Sequence, residues 1–111
     1  MIDGIYTAYL TGIAGQAMAM FVFKDGKIGG ADMIGVNFSG EYLVEDGCIR
    51  GEVKFNMPAQ SVSITGTVYQ EKSEEIKVPI ELPEEIDPNE TYAIKTPMGL
   101  MNAKFHKNAE L

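Results

Sequence analysis

The stretch from Lys24 to Tyr42, KDGKIGGADMIGVNFSGEY, sets five glycines among charged and apolar residues. Glycine beside lysine is the composition of a loop that cradles phosphate. The spacing is wrong for one. A phosphate loop needs Gly, four residues, then Gly-Lys-Ser/Thr, but Phe21 stands five positions before Gly26 and Ile28 follows Lys27. No helical pattern follows to offer its N-terminus to an anion, and Asp25 and Asp32 would repel one. The expectation is therefore structural. Asp25-Gly26 is a hairpin turn, Gly29-Gly30 a bulge or corner of a sheet, and Gly40 a point of relief for curvature in the following strand.

The other reactive side chains are scattered. His106 is the only histidine and Cys48 the only cysteine. A nucleophilic pair would need the two in contact, and nothing local places them so. The acids are many, but "DPNE" lacks the glycine and spacing of a calcium loop, and Glu84-Glu85 has no apolar pocket beside it to raise a pKa. The reading is a protein without catalytic residues, metal or cofactor, and not an enzyme.

Composition narrows the partners. A chain of 111 residues with 45% hydrophobic content is one domain with a single core, residues 1–111. Its net charge of −7 opposes nucleic acid and anionic membrane surfaces, which recruit Lys and Arg. Between Glu71 and Glu90 lie eight acids and two lysines, expected to form a solvated face or a docking surface for a basic partner. The lone cysteine excludes an internal disulfide and points to a reducing, cytoplasmic location. The twenty uncharged residues Gly4–Phe23 have the length of a membrane span. Thr7, Thr11, Gly12, Gly15 and Gln16 interrupt them, and Asp3 stands where a signal peptide would be positive. "LTGIAGQ" fits a turn between two strands.

What must position these residues is a β-sheet, because alternation with period two dominates. Ile34, Val36, Phe38, Tyr42 and Val44 share one parity; so do Ile49, Val53, Phe55 and Met57, then Val62, Ile64 and Val68, then Ile76, Val78, Ile80 and Leu82. Asp25-Gly26 and Asp46-Gly47 are two-residue hairpin signals. Pro79 marks an edge strand or a bulge. The pattern predicts about eight strands, near 3–11, 16–24, 27–30, 33–45, 48–57, 60–70, 76–82 and 92–105, the last in one or two pieces. Sequential strands with tight turns form a meander, and closure removes its edges. The predicted fold is all-β, a small antiparallel up-and-down barrel, with a sandwich second.

In "GQAMAMFVFK", Gly15, Ala17, Ala19, Phe21 and Phe23 share one side, and Gln16, Met18, Met20 and Val22 the other. Both sides are apolar enough to be covered, one by the barrel and one by a second subunit or a covering segment. A barrel of this size is either filled by side chains or holds one small ligand. The filled core is the simpler expectation. If a cavity exists, its candidate lining is Met18, Met20, Phe21, Phe23, Phe55 and Met57.

The elements "DGIY" at Asp3–Tyr6, "GQAMAMFVFKDGKIGGAD" and "FSGEYLVEDG" together resemble the GrlR-like family, named for a negative regulator of type III secretion gene expression. The resemblance covers roughly the first half of the chain, with Phe38 where the family usually carries tyrosine and Ala31 set within the Gly-Gly-Asp element. It implies a lipocalin-like barrel, a homodimer, an apolar cavity, and regulation by contact with a protein, a transcriptional activator. The family's acidic contact run corresponds here to "VEDGCI", which keeps Glu45 and Asp46. With Glu84 and Glu85 of the acidic segment, these are the candidate partner contacts. Two functions are thus expected: a regulator acting through protein contact, or a carrier or sensor of a small apolar ligand such as a fatty acid.

Overall fold

The computed structural model describes residues 2–111, and among them the chain forms strands and turns only. Ten strands follow in order: β1 Gly4–Gly12, β2 Gly15–Lys24, β3 Lys27–Asp32, β4 Asn37–Glu45, β5 Cys48–Phe55, β6 Ser61–Val62, β7 Val68–Tyr69, β8 Ile76–Pro83, β9 Tyr92–Thr96 and β10 Gly99–Glu110. Eight of them make one antiparallel sheet in the order β8-β5-β4-β3-β2-β1-β10-β9. This is an up-and-down meander curled into a nearly closed barrel. The chain's first and last strands pair with each other, from Gly4 opposite Glu110 to Thr11 opposite Asn102. The remaining gap lies inside the sequence, between β8 and β9, which face each other without ladder hydrogen bonds.

Turn chemistry sets the register. Asp25-Gly26 and Asp46-Gly47 both adopt positive φ at both residues, 49° and 80° in the first, 51° and 77° in the second. This is the geometry that matches the twist of flanking strands. Pro79 sits on β8, an edge strand, where a missing N–H is tolerated.

The eight barrel strands are not quite the eight expected. The 92–105 pattern splits into β9 and β10 around Pro97-Met98. The segment near 60–70 leaves the barrel as the small hairpin β6–β7, because Gly66, at φ 99°, turns the chain back in its middle. Its expected inward set is overturned with it: Val62 and Val68 are exposed, and Ser63 is buried. Residues 33–36 form a loop rather than the start of β4, and Ile34 there is exposed. Val44, near the end of β4, is also exposed.

Glycines shape the wall. Gly29-Gly30 is not a bulge, since β3 keeps uninterrupted register with β2 and β4 through both residues. The sheet bends there instead. Gly30, Gly40 and Gly51 lie at inward positions on three successive strands, and a Cβ on each would strike the backbone oxygen of Met20, Glu52 and Glu41 respectively. With no side chain at Gly30, its two cross-strand partners Phe21 and Phe38 meet over it, ring centroids 5.0 Å apart. The actual irregularity is at Asn108, where the β1–β10 register shifts between Ile5 and Tyr6. Its amide Nδ2 donates to Thr7 Oγ1 at 2.7 Å.

The barrel has two unlike ends. At the end carrying the turns at 25–26 and 46–47, the N-terminal segment folds in as a plug. Ile2 is buried, Tyr6 Oη donates to its carbonyl at 2.6 Å, and Tyr42 Oη donates to Asp3 Oδ1 at 2.7 Å. Phe23 packs between the two tyrosine rings, at 5.4 and 5.6 Å. At the opposite end the β6–β7 hairpin arches over the opening. Ala14 N in the β1–β2 turn donates to Ile64 O at 2.8 Å, and Thr65 lies against Gly99 in the β9–β10 turn.

Candidate functional site

Between plug and hairpin the barrel is not filled. A cavity of about 140 Å³ remains. Its lining comes from inward residues of every wall strand: Leu10 of β1, Ala17, Phe21 and Phe23 of β2, Asp32 of β3, Phe38 of β4, Val53 and Phe55 of β5, Val78, Ile80 and Leu82 of β8, Ile94 of β9, Met101 and Phe105 of β10. Val36, Met57, Val62, Ser63, Ile64 and Met98 close it from the loops and the hairpin. Strand pleat explains the set, because every second side chain of a barrel strand points inward.

The polar lining is sparse. Asp32 and Ser63 are its only polar side chains, and both are engaged locally. Asp32 Oδ1 accepts from Ile34 N at 3.0 Å and Val36 N at 2.9 Å, bracing the 33–36 loop. Ser63 Oγ accepts from Thr65 N at 3.2 Å and meets Thr65 Oγ1 at 2.7 Å. Such a space favours an apolar guest or stays dry, as apolar cavities of similar volume do. Ile34 and Val62, which are 60% and 59% exposed, stand at its rim under the hairpin.

Of the six candidate cavity residues, Phe21, Phe23, Phe55 and Met57 are brought together around this space. Met18 and Met20 are not. They have the opposite parity on β2 and stand on the outer wall, 41% and 47% exposed. Cross-strand register decides this: Leu10, Ala8 and Tyr6 face Ala17, Ala19 and Phe21, so these six share the inner face. Beside Met18 and Met20, Val22 and Tyr9 are exposed too, giving an apolar outer stripe on β1 and β2.

The four partner candidates converge at the plugged end. Glu45 and Asp46 lie in the β4–β5 turn region, and Glu84 N donates to Gly47 O at 2.8 Å, which ties the loop after β8 to that turn. Glu45 reaches Arg50 at 3.4 Å. Glu45, Asp46 and Glu85 are exposed and Glu84 is half-buried. The acidic 71–90 segment is not one face, however. β8 runs the length of the barrel through it, leaving Glu71, Glu74 and Glu75 at the hairpin end and Glu84 to Glu90 at the other.

His106 is exposed on β10 and Cys48 half-buried on β5, and those strands are separated by β8 and β9 on one side and β1 to β4 on the other. Among the described residues no group of three His, Cys, Asp or Glu side chains could hold a metal ion, and no helix is long and apolar enough to cross a membrane. Sequence reasoning missed Leu10, Ile94, Met98 and Met101 as lining. The alternation of Met101, Ala103 and Phe105 in β10 was the available signal. Compared with family models, curated proteins and solved structures, the chain matches none of them.

Proposed function

We propose that this is a non-enzymatic, cytoplasmic binding protein whose barrel takes up one small apolar ligand. The carrying observation is the 140 Å³ space lined by Phe21, Phe38, Phe55, Ile94 and Met101, with its two polar side chains already engaged. The volume limits the guest. An apolar cavity of about 150 Å³ holds one benzene, so a group of about six carbons fits, and the full chain of a long fatty acid does not. Native mass spectrometry of freshly purified protein, with thermal melts in benzene, 1-hexanol and palmitate, tests the reading. The six-carbon probes raise Tm, by the equivalent of about 2.7 kcal/mol at a hundredfold excess over Kd. A bare apo mass with no melt shifted by any probe sinks it.

A second reading is favoured by the convergence of Glu45, Asp46 and Glu84 on one end. It is the one the GrlR-like resemblance implies: a negative regulator that acts by protein contact, its acidic end meeting a basic surface of a transcriptional activator. The exposed Tyr9, Met18, Met20 and Val22 stripe would then be covered in a homodimer. Here Glu84→Lys weakens capture of the activator in a pull-down, with the fold verified by a melt. Undiminished capture removes the acidic end from the contact.

A further inference from the structure

We infer that Asp32, at the rim of the cavity, is the head-group site for a short primary ammonium ion whose hydrocarbon part lies in the barrel. The inference rests on the ligand reading above and names the class of ligand and the place of its polar end.

Asp32 ends β3 on the inner face of the wall. It has the parity of Ile28, which is buried in the core, and its cross-strand partner on β2 is the buried Ala19. It lines the same cavity as Phe21, Phe38 and Phe55, so charge and apolar space adjoin with no wall between them. The residue is half-buried and its rim neighbours Ile34 and Val62 are exposed, so water reaches its outer side. Two positions deeper on β3, about 7 Å at the rise of a strand, is Gly30, over which Phe21 and Phe38 meet. A guest whose charged end rests at Asp32 lays its chain on those rings.

The brace of the 33–36 loop uses one carboxylate oxygen. Oδ1 accepts from Ile34 N and Val36 N. Among the described residues Oδ2 accepts no hydrogen bond, and no lysine, arginine or histidine pairs with Asp32. Two neutral N–H donors leave the negative charge in place. The one charged side chain of the lining is thus an anion with an open acceptor, in a chain of net charge −7. That field opposes a carboxylate and offers an alcohol no more than a neutral hydrogen bond. An alkylammonium, charged at pH 7 as a lysine side chain is, donates a charge-assisted hydrogen bond to Oδ2 and keeps its remaining N–H groups in water. The cavity then sets the length, about six carbons.

Isothermal titration of hexylamine, 1-hexanol and hexanoate against the intact chain at pH 7 tests this, with Asp32→Asn as the variant. Asparagine keeps an Oδ1 acceptor for Ile34 N and Val36 N, so the loop brace is retained, as a melt verifies. Hexylamine binds the natural chain about fivefold more tightly than 1-hexanol, the scale of a partly exposed charged contact, and hexanoate binds more weakly than either. Asp32→Asn brings hexylamine to within about twofold of 1-hexanol and leaves 1-hexanol itself nearly unchanged, because only the charge is lost. The ranking of the three probes on the natural chain is a test in its own right. Hexylamine no tighter than 1-hexanol, or a hexylamine preference that survives Asp32→Asn, overturns the head-group site and leaves the cavity reading standing. Failure of all three probes to bind the natural chain overturns both.

Discussion

Asp3 and Tyr42 show how single side chains hold the plugged end. Tyr42 donates to the Asp3 carboxylate across 39 residues of sequence, and this hydrogen bond holds the Asp3 carboxyl below its ordinary 3.8. Burial, and then the same carboxylate, push the Tyr42 hydroxyl up to about 12. The signs run in opposite directions. A depressed acid contributes stability above its unfolded pKa and loses it as pH falls through the lower folded value. A raised tyrosine contributes fully below 10 and loses its share as pH climbs toward 12. Tyr42→Phe and Asp3→Asn therefore each flatten the fall in Tm below pH 4, compared with the natural chain followed by circular dichroism. Tyr42→Phe also removes its share of the alkaline loss. An unchanged acid limb in both variants would sever this pair from the protein's acid stability.

Elements show which parts of the sequence announce their structure. Inward glycines at 30, 40 and 51 bend three adjoining strands. Gly40→Ala, whose Cβ would strike the Glu52 carbonyl, lowers stability by about 1–3 kcal/mol in urea titration, the usual effect of overpacking. Gly29→Ala, where an added Cβ meets nothing within 4 Å, leaves it unchanged or slightly higher. Equal losses at the two sites would show that bending at inward glycines does not shape the wall. Hairpins such as Asp25-Gly26 were legible because residue type alone fixes their backbone. The β6–β7 hairpin was not, since Ser61 to Tyr69 alternates like one strand and only Gly66 betrays the turn. Met18 and Met20 illustrate a second limit. When both parities of a strand are apolar, pattern cannot choose the inner one, and register with the next strand must. The cavity was beyond reach for a related reason: alternation reveals which side chains point inward, but not whether their volumes fill the space.

At the scale of the whole molecule, the barrel joins a stiff, plugged end to a hollow end under a hairpin. The plugged end carries buried tyrosines, the tied turn at Gly47 and the converging acids. The hollow end carries the cavity and a rim of exposed Ile34 and Val62. A protein contact at one and a ligand at the other occupy separate surfaces of one shell, so neither reading displaces its rival. Reciprocal coupling between them would require a ligand to change the plugged end, and β8, which runs from the hairpin side to Glu84, is the element that spans both.

The pairing of β1 with β10 has a consequence for how the chain reaches this shape. Every other seam in the barrel is closed by strands that are neighbours, or nearly so, along the chain, whereas this one joins residues as distant as Gly4 and Glu110. By polymer statistics, bringing such ends together costs on the order of 3 kcal/mol more than closing a two-residue hairpin. The meander from β1 to β5 can therefore assemble from local contacts. The circle closes through the pairing of longest sequence separation in the chain, the kind of contact that slows folding.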